Sequence, residues 1–347
     1  MRKKVLVIGN LGYVGSLFTT YLKKNNCYVK GIDTNFYYFI DQENQNKDLP
    51  QEQLFKDIRN INKEDIKGYE NVVFLAALSN DPLGKLNKGL TKEINYKSVL
   101  SLAKLCKENG CKRFVFASSC SIYGFLENQK DIVTESYRCK PLTEYAQSKY
   151  ITEKKLNLIS SKKFKVICLR FGTACGVSRL MRFDLVLNDM VANAFFKNKI
   201  LILSDGKPWR PMIDVEDMCK LFFFFIKNNI KNNFSVFNAG GKNCNYTVLD
   251  LAKEIKKVYP KCSIKILNQN PNDKRSYKVS LKKLNDITNK KIKFKPIKKS
   301  IKEIFNWLKS HNKIQKLSDT KRMEYIRLSK INYLKNKKVV NDKLFWK

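Results

Sequence analysis

The stretch Val5-Leu6-Val7-Ile8-Gly9-Asn10-Leu11-Gly12-Tyr13-Val14-Gly15 decides the fold. Four apolar residues make a short buried strand, three glycines follow, and helical spacing then runs over residues 14–24. Glycine at these points lets the backbone turn tightly and approach a pyrophosphate, which sits on the helix N-terminus. The spacing Gly9-x-x-Gly12-x-x-Gly15 differs from the Gly-x-Gly-x-x-Gly of ordinary dehydrogenases. Three glycines alone mark many turns, so the placement between strand and helix carries the reading. Met1-Arg2-Lys3-Lys4 before the apolar run imitates a signal peptide. The glycines interrupt it at once and no small-residue cleavage site follows, so a first strand and a cytosolic protein are expected.

Outward from this loop, strands and helices alternate. Residues 28–33, 72–77, 114–118 and 166–171 read as strands, and 92–108 and 144–160 as helices. Such alternation predicts an α/β protein with a Rossmann-type doubly wound parallel sheet. After about residue 175 the elements shorten: a helix near 183–197, a strand at 200–203, and a helix at 247–259 capped by Thr247 or Asn245. The expected organisation is a dinucleotide domain over 1–175 and a smaller α/β substrate lobe mainly within 176–315, some of whose strands return to the first core. A basic C-terminal extension covers 316–347, and its spaced hydrophobes, Tyr325 to Trp346, predict docking.

Composition removes several chemistries. The ten cysteines contain no Cys-x-x-Cys pair and His311 is the only histidine, which argues against a metal centre, a disulfide framework or a histidine-based nucleophile. The apolar run Leu221–Ile226 is far shorter than the ~20 residues of a membrane span. The net charge of +37 raises nucleic-acid binding, but the lysines are spread along the whole chain and suit an anionic small substrate as well.

Asp33 ends the second strand eighteen residues beyond Gly15, where a carboxylate accepts hydrogen bonds from the adenosine ribose hydroxyls. It would repel the 2′-phosphate of NADP, and Thr34-Asn35-Phe36-Tyr37 bring no arginine to hold one, so NAD is the expected cofactor. Tyr145 and Lys149, at i and i+4, share one helix face. A phenol with pKa near ~10 needs ~4 kcal/mol to act as a base at neutral pH. A cation ~4 Å away at an effective dielectric of ~20 supplies about that much, so Lys149 is expected to tune Tyr145 as general base. Ser119 follows a strand at the end of a parallel sheet where catalytic groups gather.

Together the glycine loop, Asp33, Ser119 and Tyr145-x-x-x-Lys149 resemble the extended short-chain dehydrogenase/reductases, in their NAD-dependent epimerase/dehydratase branch, across essentially the whole chain. The resemblance implies that Gly9, Leu11, Gly12, Tyr13, Val14, Gly15, Asp33, Asp57, Ile58, Leu75, Ala76, Ala77, Asn95, Tyr145 and Lys149 hold NAD. It implies that Ser119, Ser121, Thr173, Arg182, Asn188, Arg210 and Arg275 hold a nucleoside-diphosphate sugar. Arg210 lies in Ser204-Asp205-Gly206-Lys207-Pro208-Trp209-Arg210 and Arg275 in Asp273-Lys274-Arg275-Ser276-Tyr277. Tyr145 would take the proton of a sugar hydroxyl, usually at C4, with Ser119 bonded to the same oxygen. A homodimer through helices 92–108 and 144–160 is also implied.

Three departures narrow the reaction. Cys120-Ser121 stand where the family's 4,6-dehydratases carry Asp-Glu, which disfavours dehydration. Thr173 replaces a common asparagine, and Ile213-Asp214-Val215 replaces Ile-His-Val. A 4-epimerase or 4-dehydrogenase of surface-polysaccharide or modified-sugar synthesis remains. The alternatives are an NAD(P)-dependent reductase of another carbonyl compound and a non-catalytic RNA-binding protein on the same fold.

Overall fold

The computed structural model describes residues 2–37, 49–126, 128, 131–269, 275–311 and 314–347. Asp273 and Lys274 lie outside the described residues. A seven-stranded parallel sheet forms from β1 (Lys4–Ile8), β2 (Tyr28–Asp33), β3 (Glu52–Phe55), β4 (Asn71–Phe74), β5 (Arg113–Ser119), β6 (Lys165–Phe171) and β7 (Phe234–Ala239), in the order β7-β6-β5-β4-β1-β2-β3. The strand order reverses between β1 and β4, so a crevice opens beyond their C-terminal ends.

Alternation along the strands builds two apolar layers, because successive side chains leave a pleated strand on opposite faces. Leu6, Ile8, Val72, Phe74, Phe114 and Phe116 face one way. They meet the helices α2 (Ser98–Glu108) and α3 (Glu144–Ile159) through Val99, Leu102 and Leu156. Val5, Val7, Val73, Val115 and Ile167 face the other way. There Phe18 of helix α1 (Tyr13–Lys24) packs on Phe222 of Val215–Lys227, ring centroids 5.3 Å apart. The apolar run at 221–226 is therefore core, each buried phenylalanine or leucine contributing about 1.5–3 kcal/mol. Among the described residues no helix is long and apolar enough to cross a membrane.

A second cluster gathers the helices Val186–Lys197, Val248–Val258 and Ile297–Ser310 over the paired strands Lys199–Ile202 and Ser263–Ile266. Thr247 caps the middle helix and exchanges bonds with Asp250. The strand Trp209–Asp214 pairs with Thr173–Cys175 and Asn245–Thr247, which carries Arg210 and Thr173 to the mouth of the crevice.

Two elements differ from their expected bounds, each for a local reason. The strand expected over 72–77 stops at Phe74, because the N–H groups of Leu75 and Ala76 both turn to the carbonyl of Ile8. The helix expected over 92–108 is interrupted by a wide turn at Glu93–Lys97. There Asn95 bonds both the N–H and the C=O of Leu78. The basic tail docks: Ile331, Leu334 and Leu344 join the first apolar layer, and Trp346 donates to the carbonyl of Thr34 at 2.6 Å.

Candidate active site

The glycine loop lines one end of the crevice. Gly9 has φ +86°, and a Cβ there would meet the Ala76 nitrogen at 2.6 Å, while a Cβ on Gly15 would strike the Gly9 carbonyl. Gly12 caps α1 with no side-chain bond and no acid in the first turn. The unbonded N–H groups of the helix start, with their partial positive charge, are left for an anion. Gly9, Gly12, Tyr13, Val14, Gly15, Asp33, Asp57, Ile58, Leu75, Ala76 and Ala77 line one continuous cavity. A slot with apolar walls, a helix start and an acid at the far end has the shape and chemistry of a dinucleotide site.

Asp33 is oriented by the loop it serves. Its carboxylate accepts from the N–H of Leu11 at 3.0 Å and of Asn35 at 2.8 Å. Burial pushes its carboxyl up, and those two N–H groups pull it back. Leu11 thus acts through its main chain, with its side chain turned onto Leu180. Asp57 lines the cavity, but both its oxygens are held by Arg59 at 2.7–2.8 Å. Asn95 does not line the cavity and sets the wall at Leu78 from behind.

At the other end of the crevice Ser119, Ser121, Tyr145, Lys149, Thr173, Arg182, Arg210 and Arg275 line a second cavity that shares Tyr13, Val14, Leu75, Ala77, Ser79, Ala117, Arg182 and Met218 with the first. Thr143 caps α3 by accepting the N–H of Ala146 and donates to Asp81 at 2.6 Å. The phenol of Tyr145 belongs to the same cavity wall as Ser119. Burial first, and then the Asp81 carboxylate, push it up to about 12, while the Ser119 hydroxyl and Arg182 act downward. Lys149 is 2% exposed and donates to the carbonyl of Ala117 at 2.7 Å. Burial pushes its ammonium down to about 7. Its nitrogen lies 5.8 Å from the Tyr145 ring centroid. Lys149 thus stands beside the phenol on the same helix face, with its hydrogen bond given to β5.

Beneath the site lies a buried network that sequence reading missed. Glu153, two turns along α3 from Tyr145, accepts from Ser118 at 2.5 Å and from Arg170 at 2.8 Å, and Arg170 also donates to Tyr123. These bonds tie α3 to β5 and β6 and fix the distance from Tyr145 to Ser119. The network's bonded pairs are 17, 35 and 47 residues apart, which leaves no local pattern to read.

The substrate side is less uniform. Arg275 pairs with Asp81, and Arg210 donates to the carbonyls of Trp209 and Arg275. Arg182 forks onto Asp184 at 2.8 and 3.0 Å and donates to Ser79. The hydroxyl oxygen of Ser121 is buried without a hydrogen-bond partner and its residue lines the cavity, which fits a polar ligand there. Asn188 departs from the expectation. It is fully buried outside the cavity, accepting from Gly176 N at 3.1 Å and donating to Arg182 O at 2.8 Å. It shapes the loop that presents Leu185 and Val186 in its place. Cys120 is buried with its thiol on the carbonyl of Arg170, and Asp214 caps Val215–Lys227 while bonding Ser300 at 2.6 Å. Neither lines the cavity.

Known proteins resemble this chain throughout. It is 25% identical to the UDP-glucose 4-epimerase of Mycoplasma genitalium over 293 residues, covering 73% of this chain and 82% of that protein. It is 26% identical to the UDP-glucose 4-epimerase of Lactobacillus helveticus over 274 residues, 74% and 81% of the two chains. The UDP-N-acetylglucosamine 4-epimerase of Methanobrevibacter ruminantium, solved with UDP-N-acetylmuramic acid, superposes with a TM-score of 0.75 at 24% identity, covering 89% of this chain and 99% of that one. MoeE5, solved with UDP-glucose and NAD, superposes with a TM-score of 0.73 at 20% identity, covering 88% and 98%. A family model describing NAD dependent epimerases and dehydratases matches residues 5–240. By that match the chain belongs to the NAD dependent epimerase/dehydratase family.

Proposed function

We propose that this protein is a nucleoside-diphosphate-sugar 4-epimerase working through a 4-keto sugar, in surface-polysaccharide or modified-sugar synthesis. The observation that carries the reading is the shared crevice: the glycine loop with Asp33 at one end, and Ser119, Tyr145, Arg210 and Arg275 at the other. Relatives named as UDP-glucose 4-epimerases support the choice of reaction.

The glycine loop would hold the dinucleotide diphosphate and Asp33 the adenosine ribose. The bound NAD supplies the acceptor and donor of hydride. Tyr145 takes the proton from the C4 hydroxyl and later returns it, a step that contributes about 10²–10⁴ in rate. Ser119, which lines the same cavity as that phenol, donates to the same sugar oxygen. Arg210 and Arg275 grip the sugar diphosphate, and remote binding of this kind positions the ring for reaction. No carboxylate follows Ser119: Cys120 is buried against Arg170 and Ser121 is neutral. Proton removal at C5, as elimination requires, lacks a base there.

Purified protein given UDP-, GDP-, dTDP- and CDP-sugars should invert C4, seen by NMR, with no growth of the NADH band. Steady NADH accumulation would assign a 4-dehydrogenase. No turnover of any nucleotide sugar would overturn the reading. We also place the protein in the cytosol as a homodimer formed through α2 and α3. Ile151 and Leu158 are 40% and 75% exposed on α3, and light scattering tests the pairing.

A further inference from the structure

Residues 327–346 wrap the nucleotide end of the crevice. Arg327 opens the helix Arg327–Asn336. Its charge acts on the carboxylate of Asp184, the same group that holds Arg182. Ile326 and Leu328 line the Tyr145 cavity, whereas Arg327 between them lines the glycine-loop cavity with Gly12, Asp33 and Tyr37. Further on, Phe345 lies over the Arg59 guanidinium at 3.5 Å, and Trp346 packs on Phe36 with centroids 5.4 Å apart. The segment is thus pinned at both ends of the slot.

The guanidinium of Arg327 is unusual in its surroundings. It is 2% exposed, yet no ion pair holds it among the described residues. Its hydrogen bonds go to two neutral carbonyls, Leu180 O at 3.0 Å and Glu324 O at 3.4 Å, and its plane covers the Tyr37 ring at 4.3 Å. Arginine carries five donors in a flat fork. A buried cation left with only part of its donors used is unfavourable unless an anion completes the site. Its charge is felt by Asp33 on one side and by Asp184 and Arg182 on the other. That span, between the ribose acid and the Tyr145 cavity, is where a dinucleotide's diphosphate must cross.

We propose that Arg327, delivered by the C-terminal extension, is a cofactor-binding residue whose guanidinium holds the diphosphate of NAD opposite the helix start of α1. Two partial sources of positive charge, one from the main chain near residue 13 and one from a side chain three hundred residues later, would clamp the same phosphates. The inference rests on the reading of this cavity as the NAD site.

The test uses full-length protein stripped of nucleotide, titrated calorimetrically with NAD, NADP and adenosine, and melted with and without NAD. In Arg327→Gln, NAD should bind about 10–100-fold more weakly, as loss of a charge-assisted phosphate contact predicts. Adenosine, which has no phosphate, should bind as in the wild type, and Arg327→Lys should recover part of the loss. The cofactor-free Arg327→Gln protein should melt at or above the wild-type temperature, while the rise caused by NAD shrinks. NAD affinity within twofold of wild type would overturn the proposal. So would equal losses for NAD and adenosine, which mark a merely structural role, or a loss confined to NADP, which moves the contact to a 2′-phosphate. Wild-type protein that binds no NAD would instead remove the functional reading, and this inference with it.

Discussion

The ammonium of Lys149 donates to the carbonyl of Ala117 at 2.7 Å and stands 5.8 Å from the centroid of the Tyr145 ring. The two residues share a helix face as their spacing dictates, yet the hydrogen bond of Lys149 goes to β5 and not to the phenol. Lys149 is therefore a buried cation whose cost falls on the folded protein.

Lys149→Met should stabilise the cofactor-free protein. Burial depresses the folded pKa of Lys149 to about 7, well below the unfolded value. The unfolded chain then binds the extra proton between that pH and about 10.4, so wild-type stability rises with pH across this window. The variant's advantage, on the order of a few kcal/mol, should be full at pH 6 and shrink towards pH 10. Urea unfolding at several pH values measures it, and a pH-independent difference contradicts the assignment.

Tyr145→Phe should cut kcat by about 10²–10⁴ and leave nucleotide-sugar binding within a few-fold, because only the proton-transferring oxygen is lost. Ser119→Ala should lower kcat less. Binding by calorimetry and turnover by NMR separate the two effects. A Tyr145→Phe enzyme with wild-type kcat excludes the phenol as base.

Asp81→Asn should move the acidic limb of activity, which rises as the Tyr145 base is freed of its proton, to lower pH. The Asp81 carboxylate raises the Tyr145 phenol, and neutralising it removes that contribution. The same substitution releases Arg275 from its ion pair, so sugar-nucleotide affinity should hold or improve. Arg275→Ala should act oppositely, raising KM and shifting the pH profile upward. Profiles of kcat/KM for the three proteins test the ordering.

Gly15→Ala should prevent NAD binding and destabilise the protein. The added methyl would strike the Gly9 carbonyl and lie 2.7 Å from the Asn10 Cα, both of them main chain that cannot swing aside. Gly68→Ala, where nothing lies within 4 Å, is the control. It has φ +80°, so it should cost only about 1 kcal/mol. Thermal melts compare them.

The nucleotide half of the fold was legible because its signals are local. A glycine at each third position, an acid at a strand end and a phenol four residues from an ammonium are all short-range patterns. The burial of Lys149 was not legible, because its 2% exposure and its bond to Ala117 come from the packing of α3 on β5. Asn95 and Asn188 bond the main chain behind the crevice rather than line it, and a buried amide can serve a ligand or the main chain with identical chemistry. Arg59, Glu153 and Arg327 had no sequence signal. Each acts across the chain, on Phe345, Ser118 and the glycine-loop cavity respectively, and no periodicity marks such partners. Thr34-Asn35-Phe36-Tyr37 contain no arginine, but two arrive at the same cavity from positions 182 and 327.

The bond from Trp346 to Thr34 spans 312 residues. Ribosomes add roughly 5–20 residues per second, so Thr34 and Phe36 wait roughly 15–60 s during synthesis before the tryptophan that covers them exists. Through that interval the nucleotide slot stands open at its adenosine end, and Phe36 offers an apolar surface to chaperones and to other nascent chains. Arg327 is made in the same late stretch, so this end of the slot and its proposed clamp are completed together.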